Sequence, residues 1–220
     1  MDTIKENVKQ LLSEIPGGVN IVAAAKTRSS DEILQAIGGG LKIIGQNYVQ
    51  EALKSIEDIG HKVRWHFIGH LQKNKIKYVV PVFDMIETVD SMTLATQINK
   101  HAIKHNKTMH ILIEINSGRE PQKFGVFPED AYNLIEEIKA LSNLKIMGLM
   151  TMGKMVDDTR EIRKCFKETK TLFDEINALD IEGVEMKYLS MGMSDSYKIA
   201  IEEGANVVRI GTKIFGPRSY

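Results

Sequence analysis

The chain has one cysteine, five prolines that never cluster, and no excess of charge of either sign. A lone cysteine, Cys165, cannot close an internal disulfide, which suits a reducing compartment. It falls in a charged helical stretch with no histidine beside it, so an inert thiol is expected. Lysine plus arginine equals aspartate plus glutamate at 29 each, which leaves no net field to draw in nucleic acid or anionic lipid. No apolar run approaches the ~20 residues needed to span a bilayer. The N-terminus lacks the basic start, apolar core and cleavage site of a signal peptide. A cytoplasmic location is therefore expected. No Pro- or Ser-rich linker and no low-complexity tract marks a boundary, so residues 1–220 read as one domain, long enough to bury a full core.

What is present is ordinary for a soluble globular protein, with 43% hydrophobic and 26% charged residues. The opening residues read as an amphipathic helix with Ile4, Val8, Leu11 and Leu12 as its stripe. Short apolar runs follow at 20–26, 41–47, 63–69, 84–90, 109–116, 145–150, 187–192 and 206–211. Amphipathic helical patterns lie between them at 31–37, 49–59, 71–79, 92–105, 128–141, 159–179 and 195–203. Strands separated by helices pair in parallel through crossovers. Eight of them can close a (β/α)₈ barrel, which leaves no exposed edge. An open doubly wound sheet is the rival architecture.

In a barrel, functional groups collect at the C-terminal strand ends, and phosphate is often held after strands seven and eight. Lys26 ends the first run. Period-two alternation puts it on one face with Val22 and Ala24, turned into the barrel. Partial desolvation there favours the neutral amine, which could attack a carbonyl to form a Schiff base; the plainer alternative is a lysine reaching out to solvent. Gly192-Met193-Ser194-Asp195-Ser196 follows the seventh run, and Gly211-Thr212 follows the eighth. Each offers backbone N–H groups and a hydroxyl before a helical pattern, as an anion site does, or else Ser194 and Thr212 simply cap helices. Arg209 alternates with Val207 on the inner face, where it needs an acceptor. A pyridine nitrogen would serve, and so would a structural ion pair. An arginine there leaves the pyridine unprotonated and a poorer electron sink.

Other residues point to less. His101 and His105 have helical spacing but no third ligand, so a solvated helix face is expected. Gly38-Gly39-Gly40 follows a helix and reads as its C-terminal cap and turn. Spacing leaves His66 open between the core and a ligand pocket.

Several motifs, in order along nearly the whole chain, resemble the pyridoxal phosphate homeostasis protein family. They are Ala23-Ala24-Ala25-Lys26-Thr27, Gly45-Gln46-Asn47-Tyr48-Val49-Gln50-Glu51, residues 65–75, Gly148-Leu149-Met150, residues 190–195 and residues 208–216. The resemblance implies a single (β/α)₈ barrel like the N-terminal domain of alanine racemase. It implies pyridoxal 5′-phosphate as a Schiff base on Lys26, phosphate contacts at Ser194, Gly211 and Thr212, and Arg209 at the pyridine nitrogen. Asn47, His66 and Met150 would line the pocket by the same resemblance. The family usually has glutamate where this chain has Gln46, which alternation turns away from Asn47; a neighbouring effect with cofactor binding retained is expected.

The function implied is a carrier and regulator of pyridoxal phosphate supply, with apo-enzymes that need the cofactor as recipients. Racemases of this fold add a second domain that supplies a tyrosine base, whereas this chain reaches Tyr220 a few residues after its last strand. Only Lys26 is identified as a base, and two-base chemistry needs another on the opposite face. A monomer without enzyme-like turnover is expected. The alternatives are an amino-acid racemase and a Schiff-base aldolase that uses the phosphate turns for a sugar phosphate.

Overall fold

Eight parallel strands close on themselves in chain order, with β1 hydrogen-bonded to both β2 and β8. The structure is a computed structural model that describes residues 3–154 and 156–217. The strands are β1 (Asn20–Ala24), β2 (Ile43–Gln46), β3 (Arg64–Phe67), β4 (Met85–Val89), β5 (Met109–Ile115), β6 (Leu144–Thr151), β7 (Val184–Met191) and β8 (Val207–Ile210). The helices outside them are α1 (Thr3–Glu14), α2 (Ser30–Gly38), α3 (Val49–Ile59), α4 (Ile76–Val79), α5 (Met92–Lys104), α6 (Ala131–Ile138), α7 (Thr159–Ala178), α8 (Tyr197–Glu202) and α9 (Thr212–Phe215). None of the helices among the described residues is long and apolar enough to cross a membrane.

Alternation along each strand builds two cores. Ile21, Ala23, Ile44, Trp65, Phe67, Val208 and Ile210 face outward into the layer shared with the helices. Val22, Ile43, Ile68 and Val207 face inward as one cluster, and Met85, Leu112, Met147 and Met150 as another. Each large aliphatic side chain buried this way contributes roughly 1.5–3 kcal/mol before chain entropy is counted. The register Val22↔Ile43 and Val22↔Arg209 sets Arg209 level with the middle of β1. β6 carries a register shift between Ile146 and Gly148. Gly148 has φ 137°, and a Cβ there would lie 1.9 Å from the Tyr188 carbonyl oxygen, so only glycine allows the strands to approach.

Element ends depart from the sequence pattern in instructive ways. β1 stops at Ala24 and β2 at Gln46, which leaves Lys26 and Asn47 just past the strands. The pattern at 71–79 becomes a 3₁₀ turn, Lys73–Lys75, and the single turn of α4. A 3₁₀ turn at Pro128–Asp130 precedes α6, with proline at its first position. Leu12, expected on the buried stripe of α1, is 45% exposed; Val8 and Leu11 carry the buried face instead. Ser29 and Glu32 form a reciprocal capping box that fixes where α2 begins after Lys26. Gly39 caps its end, as the Gly38-Gly39-Gly40 run led one to expect.

Candidate functional site

Lys26 is half-buried at the C-terminal mouth of the barrel. Its Nζ lies 4.9 Å from the centre of the Tyr48 ring, an attraction of ammonium to the π face. The next residue, Thr27, has φ 65°, in the left-handed region that a β-branched residue avoids. Its backbone N–H donates to Glu51 Oε2 at 2.9 Å, so the first turn of α3 holds the lysine turn in this conformation. Backbone strain of this kind persists where surrounding contacts over-determine it, often at functional sites. Lys26, Asn47, Tyr48, Phe67, Gly69 and His70 line a cavity of about 430 Å³.

The turns after β7 and β8 lie side by side, and Gly211 N donates to Ser194 Oγ at 3.2 Å. Ser194 therefore caps no helix: α8 begins at Tyr197, and Ser194 instead joins the two turns. Gly192 has φ 90°, and a Cβ there would meet Ala200 Cβ at 2.5 Å, so this turn depends on glycine. Thr212 opens α9, where the first N–H groups have no intrahelical acceptor. Gly211 also packs on β1: a Cβ added to it would lie 3.3 Å from the Ala24 carbonyl oxygen. The lysine turn and the candidate phosphate turns are thus neighbours.

Arg209, only 4% exposed, spends its terminal nitrogens on the protein. Nη1 donates to Ser190 O (3.0 Å) and Ser190 Oγ (2.7 Å), and Nη2 to Thr151 O (2.8 Å). No protein acceptor among the described residues takes Nε. Burial lowers the guanidinium from its ordinary value while Glu87 and Glu114 oppose that; a group this basic stays charged.

Beneath it lies a hydrogen-bonded chain that the sequence reading missed. Ser190 Oγ donates to Glu87 Oε2 at 2.7 Å, and Glu87 Oε1 is 2.6 Å from His66 Nδ1. Burial alone would raise the Glu87 carboxyl, but His66, Arg209 and Ser190 together hold it below its ordinary value. His66 is therefore committed to a buried pair. Met150 packs in the inner cluster with Met85, Leu112 and Met147. Neither His66 nor Met150 lines either of the two cavities at the mouth. Inward alternation of an acidic residue on β4, two places after Met85, was the signal available for Glu87.

A second cavity, of about 350 Å³, opens between the ends of β3 to β6 and shares Asn47, Gly69 and His70 with the first. Glu114 stands in it, 7% exposed, with its carboxyl pushed up to about 7 by burial and by Asp90, against Arg209. Gln46 points the other way from Asn47, as alternation requires. It is fully buried, and neither its Oε1 nor its Nε2 has a partner. Cys165 is buried on α7 with Sγ 3.5 Å from the Ser117 carbonyl oxygen. No group of histidines, cysteines and carboxylates among the described residues could hold a metal, His101 and His105 included. Tyr220 lies outside the described residues.

Known proteins share this fold and much of this sequence. The sequence profile of the family described as the alanine racemase N-terminal domain matches residues 1–219. The pyridoxal phosphate homeostasis protein of Aquifex aeolicus (strain VF5) is 38% identical over 224 residues, covering 100% of this chain and 97% of that protein. Its counterpart from Mus musculus is 37% identical over 234 residues, covering 99% and 85%. Among solved structures, PipY of Synechococcus elongatus PCC7942 with pyridoxal phosphate bound superposes with a TM-score of 0.88 at 29% identity, covering 97% of this chain and 100% of that one. The alanine racemase of Clostridium difficile 630 in complex with cycloserine reaches a TM-score of 0.85 at 16% identity. It covers 100% of this chain and 61% of its own, a likeness of fold.

Proposed function

The chain belongs to the alanine racemase N-terminal domain family, with the pyridoxal phosphate homeostasis proteins as its full-length relatives, and from that premise we propose that it carries pyridoxal 5′-phosphate as a Schiff base on Lys26. In this reading it serves the intracellular supply of the cofactor, as a cytoplasmic monomer, and apo-enzymes that need the cofactor are its recipients. The observation that carries the reading is the adjacency of a half-buried lysine turn, two linked anion-binding turns and an arginine with one donor to spare.

The residues fit the cofactor without rearranging the buried chain. Ser194 and Thr212 would hold the phosphate, with Gly211, whose N–H here donates to Ser194 Oγ, completing the turn between them. Arg209 would offer Nε to the pyridine nitrogen, while Ser190, Thr151 and Glu87 keep the guanidinium plane fixed. Asn47 borders the ring at the β2 end; His66 acts at a distance, through Glu87. When bound, the cofactor supplies an electrophilic carbon and a sink for electrons, and an arginine partner weakens that sink. Holding and releasing the cofactor then needs no further base.

A second reading, an amino-acid racemase, gains support from Glu114. In a ring of eight strands β5 stands across from β1, so a buried carboxyl that titrates near neutrality faces the mouth from the side opposite Lys26. The test is α-proton exchange of several L-amino acids in deuterated water, followed by NMR with the cofactor-loaded protein. The carrier reading predicts exchange close to that of free cofactor. Exchange at about 1 s⁻¹ or faster, within the range of ordinary enzymes, and lost in Lys26→Ala and Glu114→Gln, would overturn it in favour of the racemase.

A further inference from the structure

The geometry points to a second ligand site, for a small organic ammonium ion with an apolar body, in the cavity of about 350 Å³ between the ends of β3 to β6. Most polar groups lining the cavity are already spent on the protein. Thr88 Oγ1 donates to Gly69 O at 2.7 Å. Asn116 Nδ2 donates to Glu120 O at 2.9 Å, and Asn116 Oδ1 accepts from Glu120 N at 3.2 Å. The Ser117 and Thr151 hydroxyls lie 2.9 Å apart and bond to each other. At the rim, Lys123 pairs with Glu120 at 2.6 Å and Lys154 with Glu161 at 2.8 Å.

Glu114 is the buried exception; Asn47, half-buried, and His70, exposed, also line the cavity with side chains that make no hydrogen bond to the described residues. Glu114 is more than nine-tenths buried as a residue, it lines the cavity, and its carboxyl accepts no hydrogen bond from any described residue, its oxygens opening onto the cavity rather than being fully enclosed. An unpartnered buried carboxyl is costly, and the occupant that offsets most of that cost is a cation that donates to it. The rest of the cavity asks for an apolar body. Ile68, Ile115, Met152 and Met193 line it, and the Phe124 ring stacks on His70 at 3.6 Å between centroids over the opening. One carboxyl with both rim lysines already paired matches one positive charge. The charged groups facing Glu114 from neighbouring elements are Asp90 after β4 and Arg209 on β8; burial and Asp90 push the carboxyl up to about 7 against the opposing pull of Arg209. A bound cation would reverse that and favour the ionised form.

The inference stands apart from the cofactor reading, and the test keeps them separate. The probe is N,N-dimethylbenzylamine, a tertiary amine that cannot condense with an aldehyde, titrated by calorimetry into cofactor-loaded protein above the pH to which Glu114 is pushed. Benzyl methyl ether serves as the uncharged isostere. Saturable binding of the amine is expected, at least ~10-fold weaker in Glu114→Gln, the scale of one charge-assisted hydrogen bond, with no saturable binding of the ether. Absence of saturable amine binding, or equal affinity in Glu114→Gln, would overturn the site. Binding seen only in cofactor-free protein would assign the cavity to the cofactor and overturn it equally. The cofactor's absorbance, read in the same samples, reports separately on the carrier reading, and Glu114→Gln should leave that absorbance in place.

Discussion

Glu87 and Glu114 stand on neighbouring strands of one barrel, both turned inward and both buried, yet their surroundings send them in opposite directions. Glu87 has a bond to each oxygen and two cationic or potentially cationic neighbours, and it is held below its ordinary value. Glu114 has none of these bonds, and burial pushes it to about 7. Burial is common to both, so partners decide the outcome. The first region is a closed network that fixes Arg209. The second is an open place at the mouth where a polar group waits for something the protein does not provide.

The sharpest way to break this contrast is to remove the carboxyl from the closed region. Glu87→Leu leaves His66 Nδ1, the Ser190 hydroxyl and the buried guanidinium without their shared acceptor. Deleting one partner of a buried ionic network should cost about 3–5 kcal/mol. Urea unfolding at neutral pH measures it, and a loss below ~1 kcal/mol would show that the network contributes little.

A smaller effect, of opposite sign, is expected at Glu114. A carboxyl ordinarily at 4.5 that the fold pushes to about 7 binds its proton more tightly folded than unfolded. Stability therefore falls as pH rises from 4.5 through about 7, by roughly 3 kcal/mol for this group. Glu114→Gln removes that slope, so the variant should match the parent near the acid end and exceed it at alkaline pH. Glu87 works the other way: its contribution is full above 4.5 and is lost as pH falls through its lower folded value. Unfolding curves at several pH values for parent and variant check this; parallel profiles would mean that Glu114 ionises freely in the fold.

Much of this architecture was legible in the sequence, for a definite reason. Alternation along a strand is a local property, so it placed Lys26, Arg209 and Val22 inward and Gln46 outward before any strand was paired. The eight apolar runs each became a strand, with ends shifted by up to three residues. What alternation cannot give is register between strands. The pairing of His66 with Glu87, the bond from Gly211 to Ser194, the bond from Ser190 to Glu87 and the bonds of Arg209 to Ser190 and Thr151 all join residues 17 to 103 positions apart. His66 was left between core and pocket because its partner lay on another strand. Gln46 shows the same limit from the other side: its direction was readable, but that it finds no partner there was not.

Lys26 is the residue proposed to hold the cofactor. The most direct test of that role is borohydride reduction of the cofactor-loaded protein followed by peptide mapping. The pyridoxyl group should be recovered on the peptide carrying Lys26, and Lys26→Ala should fold normally while losing the label and the cofactor's absorbance. Recovery of the label on another lysine, with Lys26→Ala still fully labelled, would contradict it.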